Sequence, residues 1–91
     1  MSSNKYIIIL PIQCKAAREL LEWKQEDLSK SAKIAKETIG KFERKISNPT
    51  LKTLINIKET FEKAGIKFKN DDEAIGVELM NQDVTTKDEN I

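Results

Sequence analysis

Apolar positions recur at helical spacing through most of the chain and alternate only near its two ends. Ile12, Ala16, Ala17, Leu20 and Leu21 fall three and four residues apart, which predicts a first helix from Pro11 to Glu22 with those residues inward. Pro11 suits the first helical position, where its missing N–H costs nothing. Leu10 is a poor N-cap, so the start of this helix is weakly specified. Trp23 closes it and reads as a ring over the core edge rather than a ligand-stacking group. Two short helices joined by a tight turn are predicted between Gln25 and Pro49. Leu28 and Ala32 give the first of these an apolar edge, Ile34 is the apolar residue at the turn, and Ile39 and Phe42 give the second its buried stripe. That second helix runs from near Ala35 to near Arg44, and Lys36, Glu37, Gly40 and Lys41 point away from the stripe. Ser47-Asn48-Pro49-Thr50 reads as a loop and helix start. A last helix follows from about Thr50 to Ala64, with Leu51, Leu54, Ile55, Lys58 and Phe61 on its period and Gly65 as a suitable residue just past its end.

Ile66-Lys67-Phe68-Lys69 alternates, Asn70 to Glu73 is turn-rich, and Ile75 to Met80 fits a second strand, so a hairpin is expected. Tyr6 to Leu10 is β-branched and apolar; it fits a short strand and fits equally an extended segment packed over the core. Met1 to Lys5 is polar and Asn81 to Ile91 has almost no apolar content, so both are expected to be disordered. The plan is mainly α: an arm at 1–10, a compact domain of four helices, or five, at 11–64, a short β element at 65–80 and an acidic tail at 81–91. No internal repeat is visible.

Ninety-one residues make one small domain with a modest core. The formal charge of +1 hides an asymmetry. From Lys24 to Lys69 twelve cations face six acids, a net +6, and from Asn70 to Ile91 one lysine faces seven acids, a net −6. The basic body meets the demand of a polyanionic partner; the acidic tail reads as a solubility device or as a screen against non-specific nucleic acid. Cys14 is the only cysteine and there is no histidine, which removes an intrachain disulfide, the usual zinc ligands and the common catalytic base. No carboxylate pair or nucleophile–base arrangement is present, so no enzyme and no cofactor is expected. Cys14 reads as a small packing residue. The run Ile7 to Leu10 is too short to span a membrane and lacks the features of a signal peptide, so a cytoplasmic protein without membrane contact is expected.

A short helix with a few apolar anchors and a Lys-bearing outer face suits the major groove of DNA. Gln25 in the first turn of its helix, with Lys24 before it, can add a donor to a phosphate at that helix N-terminus. The bland reading of the lysines is a solvated face, but their position on one helix of a basic body favours DNA.

From about Pro11 to Leu79 the chain resembles the lambda-repressor-like helix-turn-helix transcription regulators of the xenobiotic-response-element type. The residues that carry the likeness are Cys-Lys-Ala-Ala-Arg-Glu-Leu-Leu-Glu-Trp-Lys-Gln-Glu-Asp-Leu at 14–28, then Ile39, Phe42, Glu43 and Arg44, then Asn48-Pro49-Thr50-Leu51 and Leu54. The ending Ala-Gly-Ile-Lys-Phe at 64–68 with Ile-Gly-Val-Glu-Leu at 75–79 is similar to small bacterial and prophage members. The resemblance implies a DNA-binding regulator, most simply a repressor. It implies an internal ion pair between Arg18 and Glu43, base-edge contacts from Lys36, Glu37 and Lys41, and backbone contacts from Gln25, Thr38, Arg44 and Lys45, with Asn48 and Lys52 as further phosphate candidates. The chain departs from the family pattern at Ser29, where a small Ala is usual, at Lys33 and Lys45, where Gly is usual, and at Ala35, where a capping Ser or Thr is usual. A monomer of this size has a small footprint, so a homodimer on double-stranded DNA is expected, with Tyr6–Leu10 and Ile66–Met80 as its candidate surfaces unless they pair only within the chain. No small-molecule ligand is evident. The competing reading is a protein-binding adaptor or antitoxin-like module of the same fold, whose acidic segment docks a partner.

Overall fold

The computed structural model describes residues 8–80; the expectations for 1–7 and for the acidic tail at 81–91 lie outside the described residues. Among the described residues the elements run α1 (Pro11–Leu20), α2 (Gln25–Ala32), α3 (Lys36–Glu43), α4 (Leu51–Lys63), β1 (Ile66–Asn70) and β2 (Ile75–Leu79). The helices therefore number four here rather than five. Ile8 to Leu10 forms no strand; this segment carries Ile9 into the core. None of these helices is long and apolar enough to cross a membrane.

The core is built from Ile9, Cys14, Ala17, Leu28, Ala32, Ile39, Phe42, Ile57, Phe61 and Ile66. Trp23 stacks on Phe61 with centroids 5.9 Å apart, and Phe61 meets the edge of Phe68 at 6.0 Å, so one ring contact series ties the α1–α2 link to α4 and β1. Two helices bury a stripe that only partly overlaps the one their apolar spacing predicts: Ala17 and Phe61 are buried and Leu21 and Leu54 pack against the core as expected, but other positions differ. On α1, Gln13, Cys14 and Ala17 are buried, whereas Ile12 and Leu20 are 64% and 43% exposed. The helix lies against both α3 and β2. Small Cys14 and Ala17 face the core, while Ile12, Ala16 and Leu20 border an open groove beside β2. The helix also ends at Leu20, two residues short of Glu22. On α4, Ile57 and Phe61 are the buried pair, while Leu51 is 58% and Ile55 38% exposed and Lys58 pairs with Glu62 at the surface.

The helix starts use side chains from inside the first turn. The Leu10 N–H donates to Gln13 Oε1 at 2.9 Å and the Lys24 N–H to Asp27 Oδ2 at 2.7 Å, so the third helical residue supplies the cap that Leu10 and Lys24 cannot. Thr50 caps α4 by accepting from the Thr53 N–H.

Three of the four helices end in a left-handed residue that is not glycine, and only α4 is followed by a glycine with positive φ, Gly65. Glu22, Lys33 and Lys45 have φ of 60°, 59° and 61°. Each opens a C-terminal hydrogen-bonded turn: Trp23 N–H to Arg18 O, Ile34 N–H to Ser29 O, and Ile46 N–H to Lys41 O. Around Lys33 the turn is tied twice more. The Ser29 hydroxyl donates to Ile34 O, and Asn56 of α4 donates to Ala32 O at 2.9 Å. Ser29, which departs from the expected Ala, thus holds the turn that Lys33 strains.

β1 and β2 pair antiparallel with Phe68 opposite Val77. Asp71 accepts the Glu73 and Ala74 N–H groups in the connecting turn, and those bonds hold its carboxyl below the usual range. Gln13, 1% exposed, clamps the hairpin to α1: its amide donates to Lys69 O and Gly76 O and accepts from Asn70 Nδ2 at 3.1 Å.

A left-handed non-glycine residue costs about 1–2 kcal/mol, partly offset by the extra chain entropy glycine brings to the unfolded state. Lys33→Gly is therefore expected to raise stability by about 0.5–1 kcal/mol, and Phe61→Ala to lower it by about 3–5 kcal/mol. Urea unfolding midpoints at constant slope check both.

Candidate nucleic-acid interface

α3 is fixed from behind by Ile39 and Phe42, both buried, and from its end by Glu43. Arg18 of α1 reaches Glu43 with Nε to Oε2 at 2.7 Å and Nη2 to Oε1 at 2.8 Å, a two-pronged pair whose side chains are 11% and 3% exposed. Two more donors arrive: Gln25 Nε2 at 3.1 Å and Cys14 Sγ at 3.2 Å. Arg18 also donates to Trp23 O, which attaches the α1–α2 link to the same cluster. Burial alone would raise the Glu43 carboxyl, but the bonds from Arg18, Gln25 and Cys14, with the Arg18 charge, outweigh it and hold the group below its ordinary value. Burial first, and then the Glu43 charge, pushes the Cys14 thiol far up, so it remains a protonated donor. The bond to Glu43 raises the Arg18 guanidinium above its already high value.

On the solvent side of α3, Lys36 and Glu37 are exposed, and Lys41 is partly covered. Glu37 and Lys41 sit one turn apart with Oε2 to Nζ at 3.5 Å, an open surface pair that a ligand can part at little cost. Thr38 is half-buried on the flank of the same helix. Gly40 does not belong to this outer face. It is buried, and a Cβ there would lie 3.2 Å from Arg44 Nη1 and 3.4 Å from Gln25 Oε1. The missing side chain lets Arg44 fold back over the helix and lets the first turn of α2 lie close to α3.

Gln25 is the first residue of α2, and its amide is engaged with Glu43, which leaves one amide hydrogen for an outside acceptor. Lys24 is exposed just before it, and Lys45 occupies the left-handed position after α3. Asn48 is exposed on the α3–α4 loop and Lys52 in the first turn of α4; among the described residues no hydrogen bond or ion pair ties either to α3. Ala35 precedes α3 and offers no side-chain cap, so the first N–H groups of α3 carry no side-chain acceptor from that position. Cys14 and Gln25 bond Glu43 directly, and Gly40 leaves room for Arg44 and Gln25; hydrophobic spacing could not signal any of these parts. Among the described residues no group of acidic, cysteine or histidine side chains could hold a metal ion.

A family model described as helix-turn-helix matches residues 15–65, from within α1 to the glycine after α4. No curated protein matches the chain.

The Glu43 carboxyl titrates lower in the folded chain than in the unfolded one, where its value is about 4.3. Its contribution to stability is therefore complete above that value and is lost as pH falls through the lower, folded one. Glu43→Gln is expected to flatten this acid limb and to cost about 3 kcal/mol at neutral pH, because Arg18 is left without its charge partner. Denaturant titrations of both proteins from neutral pH into the acid range measure the two effects together.

Proposed function

Because the chain belongs to the lambda-repressor-like helix-turn-helix family, and is in that sense a DNA-binding transcription regulator, we propose that it reads its operator by laying α3 in the major groove. In this reading Lys36 and Lys41 donate to guanine O6 or N7, and Glu37 accepts from cytosine N4. Lys24, Gln25, Thr38, Arg44 and Lys45 meet the phosphate backbone, with Asn48 and Lys52 as outer contacts that add affinity without sequence information. Two copies bind a pseudo-palindrome, and the regulator acts as a repressor by occupying that site.

The observation that carries this reading is the rigid mounting of α3. Its inner side is sealed by Ile39 and Phe42 and its end is held by Glu43, while Lys36, Glu37 and Lys41 remain on the outside. A groove-reading helix needs this arrangement, because side chains locate base edges only if their helix does not rock. The uncapped N-terminus of α3 and the free amide hydrogen of Gln25 add donors suited to phosphate.

Selection of bound duplexes from a random pool by the purified protein is expected to return a two-fold symmetric site. Lys36→Ala with Lys41→Ala should abolish preference for that site over random DNA, with the unfolding midpoint little changed. Binding by the native protein should weaken steeply as salt rises, since each phosphate contact releases counterions. Retention of site preference by the double variant, or affinity indifferent to salt, would remove the groove assignment; a chain that selects no DNA but captures a protein partner would point to the adaptor reading.

A further inference from the structure

The hairpin carries an unused edge. Gly65 O accepts from the Met80 N–H at 2.8 Å and Ala74 O from the Asp71 N–H at 3.1 Å, which sets the parity of the ladder between them. Lys67 with Glu78 and Lys69 with Gly76 are then the hydrogen-bonded pairs, and the backbone groups of Ile75, Val77 and Leu79 point away from β1. Among the described residues nothing bonds to them. On the core-side face of the same strand, Ile75 is 58% and Leu79 43% exposed. Ile75, with Gly76 and Val77, lines the groove that Ile12, Ala16 and Leu20 of α1 leave open. An apolar strand edge next to an apolar helix face is normally covered.

Gly76 supplies a second, independent observation. Its φ is not left-handed, and a Cβ there would meet only Lys69 Cβ at an ordinary 3.7 Å. Among the described residues nothing requires glycine at that position, and glycine weakens a strand interior; it commonly marks the approach of another chain or group.

We propose that the occupant is a second copy of this chain, joined β2 to β2 in antiparallel register with Val77 opposite the partner's Val77. This deepens the dimer of the preceding reading and does not depend on its groove contacts. The register is self-complementary. It pairs all three outward-facing residues, since Ile75 falls opposite the partner's Leu79 and the reverse. The two hairpins become one four-stranded sheet whose core-side face is apolar across the two-fold axis. On the solvent face Glu78 falls opposite the partner's Gly76, whose own neighbour across its hairpin is the partner's Lys69. With no side chain at 76 in the way, Glu78 is flanked by Lys67 of its own hairpin and Lys69 of the other, and no like charges stand opposite each other. A shift of two residues would set Gly76 against Gly76 or Glu78 against Glu78 and lose this complementarity.

Sedimentation equilibrium across micromolar concentrations is expected to give a mass twice that of the 10.4 kDa chain. Ile75→Lys with Leu79→Lys, both exposed in the single chain, should keep the circular dichroism spectrum and weaken the dimer about a hundredfold or more by placing lysine opposite lysine. Lys36→Ala with Lys41→Ala should keep the dimer mass whatever it does to DNA, which separates failure of this interface from failure of the groove reading. Register is tested by Gly76→Cys with Glu78→Cys, which face one another at disulfide distance only in the register proposed. Oxidation should crosslink that double variant between copies and leave each single variant uncrosslinked. A monomeric native chain, a dimer unaffected by the two lysines, or crosslinking by either single cysteine in place of the pair would overturn the proposal.

Discussion

One carboxylate fixes the relation between the first three helices. Glu43 at the end of α3 receives Arg18 through two nitrogens, Gln25 through its amide and Cys14 through its thiol. Removing such a group from water is expensive, and the Coulomb gain from a single arginine seldom exceeds that expense by much. What the arrangement secures is orientation: α1, α2 and α3 can satisfy the acid together only at one set of tilts. The hydrophobic residues behind α3 supply cohesion, which is tolerant of small rotations. The directional bonds at Glu43 are not tolerant, and in the proposed groove reading that intolerance would keep Lys36, Glu37 and Lys41 at a fixed tilt.

The course of the helices was readable from spacing because Leu28, Ala32, Ile39 and Phe42 recur where a short helix needs them, and all four are buried. The inner face of α1 was not readable in the same way. Its most apolar row, Ile12, Ala16 and Leu20, borders the open groove beside β2, whereas Cys14 and Ala17, both fully buried, are small enough to let the helices meet. Gln13 misleads for a related reason. Its polarity and place on the helix mark it as solvent-facing, yet its amide is buried because the hairpin carbonyls and the Asn70 side chain satisfy it. On α4, Ile57 stands between polar Asn56 and Lys58 and is buried, while Ile55, just as hydrophobic, is 38% exposed, so hydrophobicity alone did not choose between them. On α3, spacing placed Lys36 and Glu37 on the exposed side but could not tell that Gly40 turns inward, since a residue without a side chain carries no polarity to read.

The turns show how a departure from family pattern is absorbed. Lys33 and Lys45 stand where glycine is usual, and both adopt the left-handed backbone anyway. The chain does not change its path to relieve them. It adds bonds instead, from Ser29 and from Asn56, which close the α2–α3 turn around the strained residue. Substitution of a turn residue by lysine in a basic body also adds positive charge beside the two helices, so the same change that strains the backbone strengthens the local field.

Cys14 gives the molecule an internal clock. It is the single sulfhydryl of the chain, wholly enclosed and hydrogen-bonded to Glu43. An alkylating reagent can reach that sulfur only in the moments when α1 parts from α3, so the rate of its modification reports how often the bundle breathes, with no label added to the protein.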